Sequence, residues 1–346
     1  MQGIGVRCAV ALVAVFWSVS AVNAQAVQCE PPGGFSAWLE NYKQHARAQG
    51  ISESTINRAL GNVSLDQEVL RLDRNQTAFR MSFEEFARQR VTQGRINQAR
   101  QRMSQHAQLL DRIEDRYGVP REMLMAIWGM ETDFGAVTGN KSVVRSLATL
   151  SYDCRRSEMF QRNLIAALRI LDRGDLTMEE MRGAWAGEIG QAQFLAANYE
   201  RFAVDFDGSG QRDLIRSVPD VLASIANYLA SYGWRRGEPW DEGTHNFEVL
   251  REWNSASVYQ RALALFANRL RNDGSAAGGG VAASGGLSSD QVRQMQQLLA
   301  ERGHDVGPAD GILGPRTRAA VDAARSRMGL PTGGEPTAEF IDRLRN

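Results

Sequence analysis

The segment from Pro120 to Gly135, PREMLMAIWGMETDFG, puts one carboxyl group, Glu131, where it can keep a proton. Pro120 suits the first turn of a helix and Gly135 its end. Between them Met123 to Trp128 is apolar on every side, the mark of a helix buried all round. Glu131 follows Leu124 by seven residues, Ile127 by four and Trp128 by three, so it extends an apolar stripe. It also falls near the helix C-terminus, where the macrodipole disfavours negative charge. Burial and dipole both push a carboxyl pKa upward, and a carboxylic acid protonated near neutral pH is what glycosidic cleavage asks of its general acid. A Glu that ends a helix at the surface or pairs with an Arg is the bland alternative. Asp133, two residues on, points to another helix face and is not an obvious partner.

A second acid, Glu188, sits in a Gly-flanked turn and reads as solvated. Were it in the same cleft, it would supply the second carboxylate that hydrolytic glycosidases place about 5 to 10 Å from the first. The elements that must position these groups carry helical periodicity. Phe35, Trp38, Leu39 and Tyr42 share one helix face, and Ser52 to Thr55 looks like a cap before Ile56 to Leu60. From Ser82 to Tyr117 a Gln- and Arg-rich stretch repeats Phe83, Phe86, Val91, Ile96, Leu109, Leu110 and Ile113 at helical spacing and reads as scaffold.

At 346 residues the chain is long enough for two folded units. A formal net charge of zero argues against a nucleic-acid binder that relies on a basic field. Arg7, the apolar run Cys8 to Val22 and the small residues at Ala24 and Ala26 predict a cleaved signal segment over residues 1–24. The mature chain is then expected outside the cytoplasm, in the periplasm, with no membrane insertion. Only Cys29 and Cys154 then remain, an even pair in an oxidising compartment, either bridged or buried as two separate thiols. Residues 271–286 shift to Gly, Ala and Ser, the composition of a flexible linker. It divides a domain over 30–270 from a unit over 287–346.

Ile127-Trp-Gly-Met-Glu131-Thr-Asp-Phe-Gly135 resembles the helix bearing the catalytic Glu in the lytic murein transglycosylase B family. In the same order follow stretches similar to that family's: Leu147 to Tyr152, Gly183-Ala-Trp-Ala-Gly-Glu-Ile-Gly-Gln-Ala-Gln193-Phe-Leu-Ala-Ala-Asn-Tyr199, Val204 to Gly210, and Ile225 to Trp234. The resemblance spans roughly Phe35 to Leu270. It implies a mainly α, lysozyme-like (α+β) domain with helical embellishment that cleaves the MurNAc–GlcNAc bond of peptidoglycan without water. Glu131 would be the single acid/base and a 1,6-anhydro sugar the product. It further implies that Gln193, Asn227 and Tyr228 line the cleft, where core hydrogen bonding is their alternative. Phe194 and Tyr199 are candidates to stack on sugar faces, although aromatics at such spacing are more often core. Ala184 stands where many members carry Ser, implying one polar contact fewer. A hydrolytic muramidase and a non-catalytic peptidoglycan-binding protein are the competing readings.

Asp205, Asp207, Ser209, Gln211 and Asp213 alternate as in an EF-hand loop, with Gly210 at the sharp turn. Position twelve, where a bidentate acid belongs, is Arg216. Calcium is therefore a weak candidate, no cofactor is required, and an Arg–Asp pair is expected to hold the loop. In the last unit Val292, Met295, Leu298 and Leu299 form one helix stripe and Ala319 to Met328 suggests another. Asp310-Gly-Ile-Leu-Gly-Pro-Arg-Thr317 resembles the repeat of the common peptidoglycan-binding domain, which implies a small three-helix module whose partner is the glycan strand. Ala324 and Arg325 depart from the Phe-Gln usual there.

Overall fold

Apolar side chains spaced three or four apart recur through the chain, and the described residues form sixteen helices and one two-stranded ribbon. This computed structural model describes residues 26–75, 83–273, 287, 289–311, 313, 315–333 and 336–345. The expected signal segment and all but the first three residues of the expected linker lie outside them. The architecture is mainly helical with minimal sheet, as expected.

Helix α7 (Arg121–Thr132) lies at the centre, with every side chain from Met123 to Met130 buried. Against it pack α5 (Gln93–Gln105), α6 (Ala107–Tyr117), α11 (Val218–Ser231) and α13 (Ser257–Asp273). The helix stops three residues before Gly135. Asp133, Phe134 and Gly135 have φ of 53°, 60° and 88°, a left-handed exit that leaves Glu131 in the last turn. Outside glycine such a conformation costs roughly 1–2 kcal/mol per residue. Contacts offset it: Asp133 Oδ1 accepts from Arg95 Nε at 2.9 Å, and the Phe134 ring meets Trp128 edge-on at 5.5 Å. Thr132 Oγ1 accepts from Gly135 N and donates to the Gln191 carbonyl.

The Gln- and Arg-rich stretch forms three helices: α4 (Phe83–Arg90), α5 and α6. Thr92 starts α5 by accepting from Arg95 N, and His106, at φ −110° and ψ 22°, breaks the helical backbone between α5 and α6. All seven of its apolar residues enter the core. On α1 (Gly34–Ala48) Trp38, Leu39 and Tyr42 are buried, and Ser52 caps α2 (Glu53–Leu60) through Thr55 N. Cys29 and Cys154 are bonded, with Cα atoms 5.2 Å apart and 125 residues of separation. By chain entropy such a bridge stabilises by at most about 5 kcal/mol. It fastens the segment before α1 to the turn between α8 (Val143–Tyr152) and α9 (Ser157–Arg173), where Glu30 N also donates to the Tyr152 carbonyl.

The ribbon pairs β1 (Lys141–Ser142) with β2 (Arg182–Gly183), Lys141 facing Gly183. Further bridges link Gly183 to Ile189 and Ile189 to Phe194, so the loop after β2 folds back on itself beside the end of α7. A Cβ at Gly183 would lie 1.7 Å from the Glu188 carbonyl oxygen, so only glycine allows this turn. The C-terminal unit is three helices, α14 (Ser289–Glu301), α15 (Pro315–Arg327) and α16 (Ala338–Arg345), around Met295, Leu299, Val321, Phe340 and Leu344. Buried Gln296 accepts from Gly311 N and donates to Asp310 and Thr317, which pins the Asp-Gly motif. Ala324 is buried, and Arg325 donates to the Gly333 carbonyl with its guanidinium 5.3 Å from the Phe340 ring centre.

Candidate active site

Beyond the left-handed exit of α7, neighbouring elements enclose a cavity of about 250 Å³ beside Glu131. The loop after β2 contributes Glu188, Gln193 and Phe194; α11 contributes Tyr228; the end of α12 (His245–Trp253) contributes Trp253 and Asn254 beyond it. Phe194, Tyr228 and Trp253 form one aromatic wall, with centroids 5.0 Å apart for Tyr228–Trp253 and 5.6 Å for Phe194–Trp253. Such a wall offers an apolar face to a sugar ring while polar tips line its rim.

Glu131 Oε1 accepts two hydrogen bonds, from Trp253 Nε1 at 2.8 Å and from the Tyr259 hydroxyl on α13. Neither donor reaches Oε2. The carboxyl is therefore locked in one orientation, with Oε2 as the oxygen that can carry and pass a proton. Burial pushes this carboxyl above the ordinary glutamate range. The two donors oppose the shift by favouring the anion, the Glu188 charge adds to it, and Arg90 opposes it. Burial and the nearby Glu131 also hold the Tyr259 phenol well above its usual value, which keeps it a donor.

The other sequence-predicted residues divide. Gln193, at φ 50°, lines the cavity and donates to the Thr138 and Gly190 carbonyls. Phe194 and Tyr228 line it too, and the Tyr228 hydroxyl is spent on the Glu252 carbonyl. Tyr199 is wholly buried on α10 (Ala196–Phe202), its hydroxyl donating to the Arg212 carbonyl, so it presents no face to a sugar. Asn227 is turned to the Phe202 carbonyl at 2.9 Å and does not line the cavity. Glu188 departs from the solvated reading. It is half-buried on the cavity wall beside Glu131, and burial raises its carboxyl pKa. Trp253, Tyr259 and the neighbouring Asn198 escaped the sequence reading. Gln191 braces α7 instead, accepting from Trp128 Nε1 at 3.0 Å and donating to the Ile215 carbonyl.

The EF-hand-like loop is organised by its own carboxylates. Asp205 accepts from Gly208, Ser209 and Gly210 N, and Asp207 from Ser209 N and the Ser217 hydroxyl. Buried Asp220, absent from the sequence reading, accepts from Phe206, Asp207 and Asp213 N. Oxygens of Asp205, Asp207 and Asp220 lie within 4.8 Å of one another. Arg216 pairs with Asp213 at 2.7 Å and with Glu180 at 2.9 Å, putting a cation where a calcium loop needs its bidentate acid. The residues present do not fit a calcium loop of ordinary strength.

The transglycosylase SLT domain family matches residues 34–243, and a peptidoglycan binding domain family matches residues 288–344. The membrane-bound lytic murein transglycosylase B of Escherichia coli K12 is 36% identical over 136 residues, which are 39% of this chain and 37% of that relative's length. The structure of SltB3 from Pseudomonas aeruginosa in complex with NAG-anhNAM-pentapeptide is similar at 34% identity and a TM-score of 0.66, covering 90% of this chain and 99% of that one. Escherichia coli SLT35 in complex with calcium, at 22% identity, TM-score 0.61 and coverage of 67% and 92%, shares the fold. The family match over residues 34–243, more than half of the chain, settles the assignment: the chain belongs to the transglycosylase SLT domain family.

Proposed function

We propose that the protein is a peptidoglycan lytic transglycosylase with Glu131 as its single general acid/base. The observation that carries this is a half-buried carboxyl held through Oε1 by two donors, leaving Oε2 for a proton at an open cavity. Glu131 gives that proton to the glycosidic oxygen leaving MurNAc C1, and the C1–O bond breaks. The carboxylate then takes the proton of the MurNAc C6 hydroxyl as that oxygen bonds to C1. The result is a 1,6-anhydro end, with no water consumed and Glu131 reprotonated. One carboxyl suffices because the substrate carries its own nucleophile. The anhydro sugar in the complex of the 34% identical SltB3 supports this outcome. Gln193, Phe194 and Tyr228 serve as cleft-wall contacts. The C-terminal module holds the glycan strand, the chain acts in the periplasm after export, and no cofactor takes part.

Glu188 on the same wall favours a second reading, hydrolysis with water activated by that acid. Mass spectrometry of digested sacculi separates the readings. Anhydro-muropeptides, lighter by one water than reducing-end products, mean transglycosylase; reducing ends mean hydrolase; pelleting without release means a binder. Glu131→Gln is expected to lower turnover by about 10²–10⁴-fold while leaving the melting temperature and wall binding unchanged. Turnover surviving that substitution sinks the assignment.

A further inference from the structure

The tight turn after β2 does more than close the cavity. Ala184 N donates to the Glu188 carbonyl at 3.2 Å, which brings the Glu188 side chain back over the turn toward Glu131. Its carboxylate is anchored at one oxygen, since Glu188 Oε2 accepts from Ala186 N at 3.1 Å. Its own backbone amide also favours the charged form, and the group lies half-buried on the cavity wall. A carboxylate held by backbone amides still has acceptor capacity to spare, which a ligand in the cavity can use. The donors that a glycan brings are hydroxyls and acetamido N–H groups.

We propose that Glu188 is a substrate-binding residue of this cleft, Oε1 accepting a hydrogen bond from a sugar hydroxyl or acetamido N–H. This rests on the glycan-cleaving reading above and deepens it. The two acids then divide the work. Glu188 faces Glu131 and feels the charge of Arg156, while Glu131 faces Glu188, Tyr259, Trp253 and Arg90. Burial raises the Glu188 pKa as well, and an ionised Glu188 raises that of Glu131, so a charge on Glu188 favours a proton on Glu131. A bound sugar donor favours ionised Glu188 and so strengthens that division.

The test measures binding in an inactive background, so that turnover does not enter. Affinity for chitotetraose is compared by calorimetry between Glu131→Gln and the double variant Glu131→Gln/Glu188→Gln. Gln keeps a carbonyl for Ala186 N and the side-chain volume, and matching melting temperatures verify folding. The double variant is expected to bind about tenfold more weakly near neutral pH, as loss of a charge-assisted hydrogen bond predicts. Glu131→Gln alone is expected to lose affinity as pH falls through the raised Glu188 pKa, and the double variant to lack that dependence. This second readout needs no folding of the Glu188 variant. Equal affinity in the two proteins, or a pH-independent Glu131→Gln, overturns the proposal. Product analysis of the otherwise wild-type Glu188→Gln protein stands apart. A rise in KM with anhydro products retained supports the binding role, whereas a switch of product or abolished turnover at unchanged KM assigns Glu188 to hydrolysis and overturns it. Failure of the glycan-cleaving reading itself appears as wild-type protein that releases no muropeptide, which the binding comparison does not depend on.

Discussion

At the scale of single residues, the distinctive feature is that Glu131 Oε1 holds two donors while burial opposes ionisation. The Tyr259 donor favours the anion, so removing it lets the Glu131 pKa rise further. In the proposed mechanism protonated Glu131 is the active form for the first step, so its ionisation would set the alkaline limb of kcat/KM against pH. Tyr259→Phe is therefore expected to move that limb to higher pH. It also frees the carboxyl to turn, and kcat should fall roughly 10- to 100-fold. A limb that stays put or moves to lower pH would show that the phenol does not act on Glu131. Glu131 was legible in the sequence because a helix prints its buried face at regular spacing, and one acid on that face stands out. Trp253 and Tyr259 were not, because they lie 122 and 128 residues away from it in sequence. Only the packing of α12 and α13 beside α7 brings them to it. Tyr199 failed for the opposite reason: aromatic spacing reports burial and does not say whether a ring faces core or cleft.

At the scale of elements, helices are legible where both a face and a cap are local, as at Ser52, whereas a break at one residue such as His106 carries no local signal and was not assigned. The loop from Asp205 to Ser217 is the sharpest case, since its alternating oxygens are easily read yet Asp220, which organises it, comes from α11. Arg216 decides its chemistry. Paired with Asp213 and Glu180, it neutralises one expected ligand and removes another. The melting temperature of the unaltered protein is accordingly expected to be the same in EDTA and in about 10 mM calcium, while Arg216→Glu, which restores an acid at position twelve, should gain a calcium-dependent rise of a few degrees. A calcium-dependent rise in the unaltered protein would mean that Asp205, Asp207 and Asp220 suffice without the twelfth ligand. The metal-free loop held by hydrogen bonds and the Arg216 pairs would then be the wrong account.

At the scale of the whole molecule, two separate hydrophobic clusters match two families, one built around α7 and the other around Met295 and Leu299. Both donors that orient Glu131, Trp253 and Tyr259, belong to the first and precede residue 274. Chemistry at Glu131 should not need the second. What a joined module changes is encounter with an insoluble polymer, because once it is bound, the cleft samples nearby strands at a high effective concentration. Ending the chain at residue 273 is therefore expected to leave the melting temperature of the first unit and its kcat on soluble glycan fragments unchanged. Release from intact sacculi at low enzyme concentration should fall about tenfold or more, and excess enzyme should recover it. Equal losses on soluble and insoluble substrate would mean that the second unit shapes the cleft directly. Undiminished release from sacculi would mean that it does not hold the wall at all. Only a loss confined to the insoluble polymer fits a proton-transfer site that is complete within one core and delivered to its substrate by another.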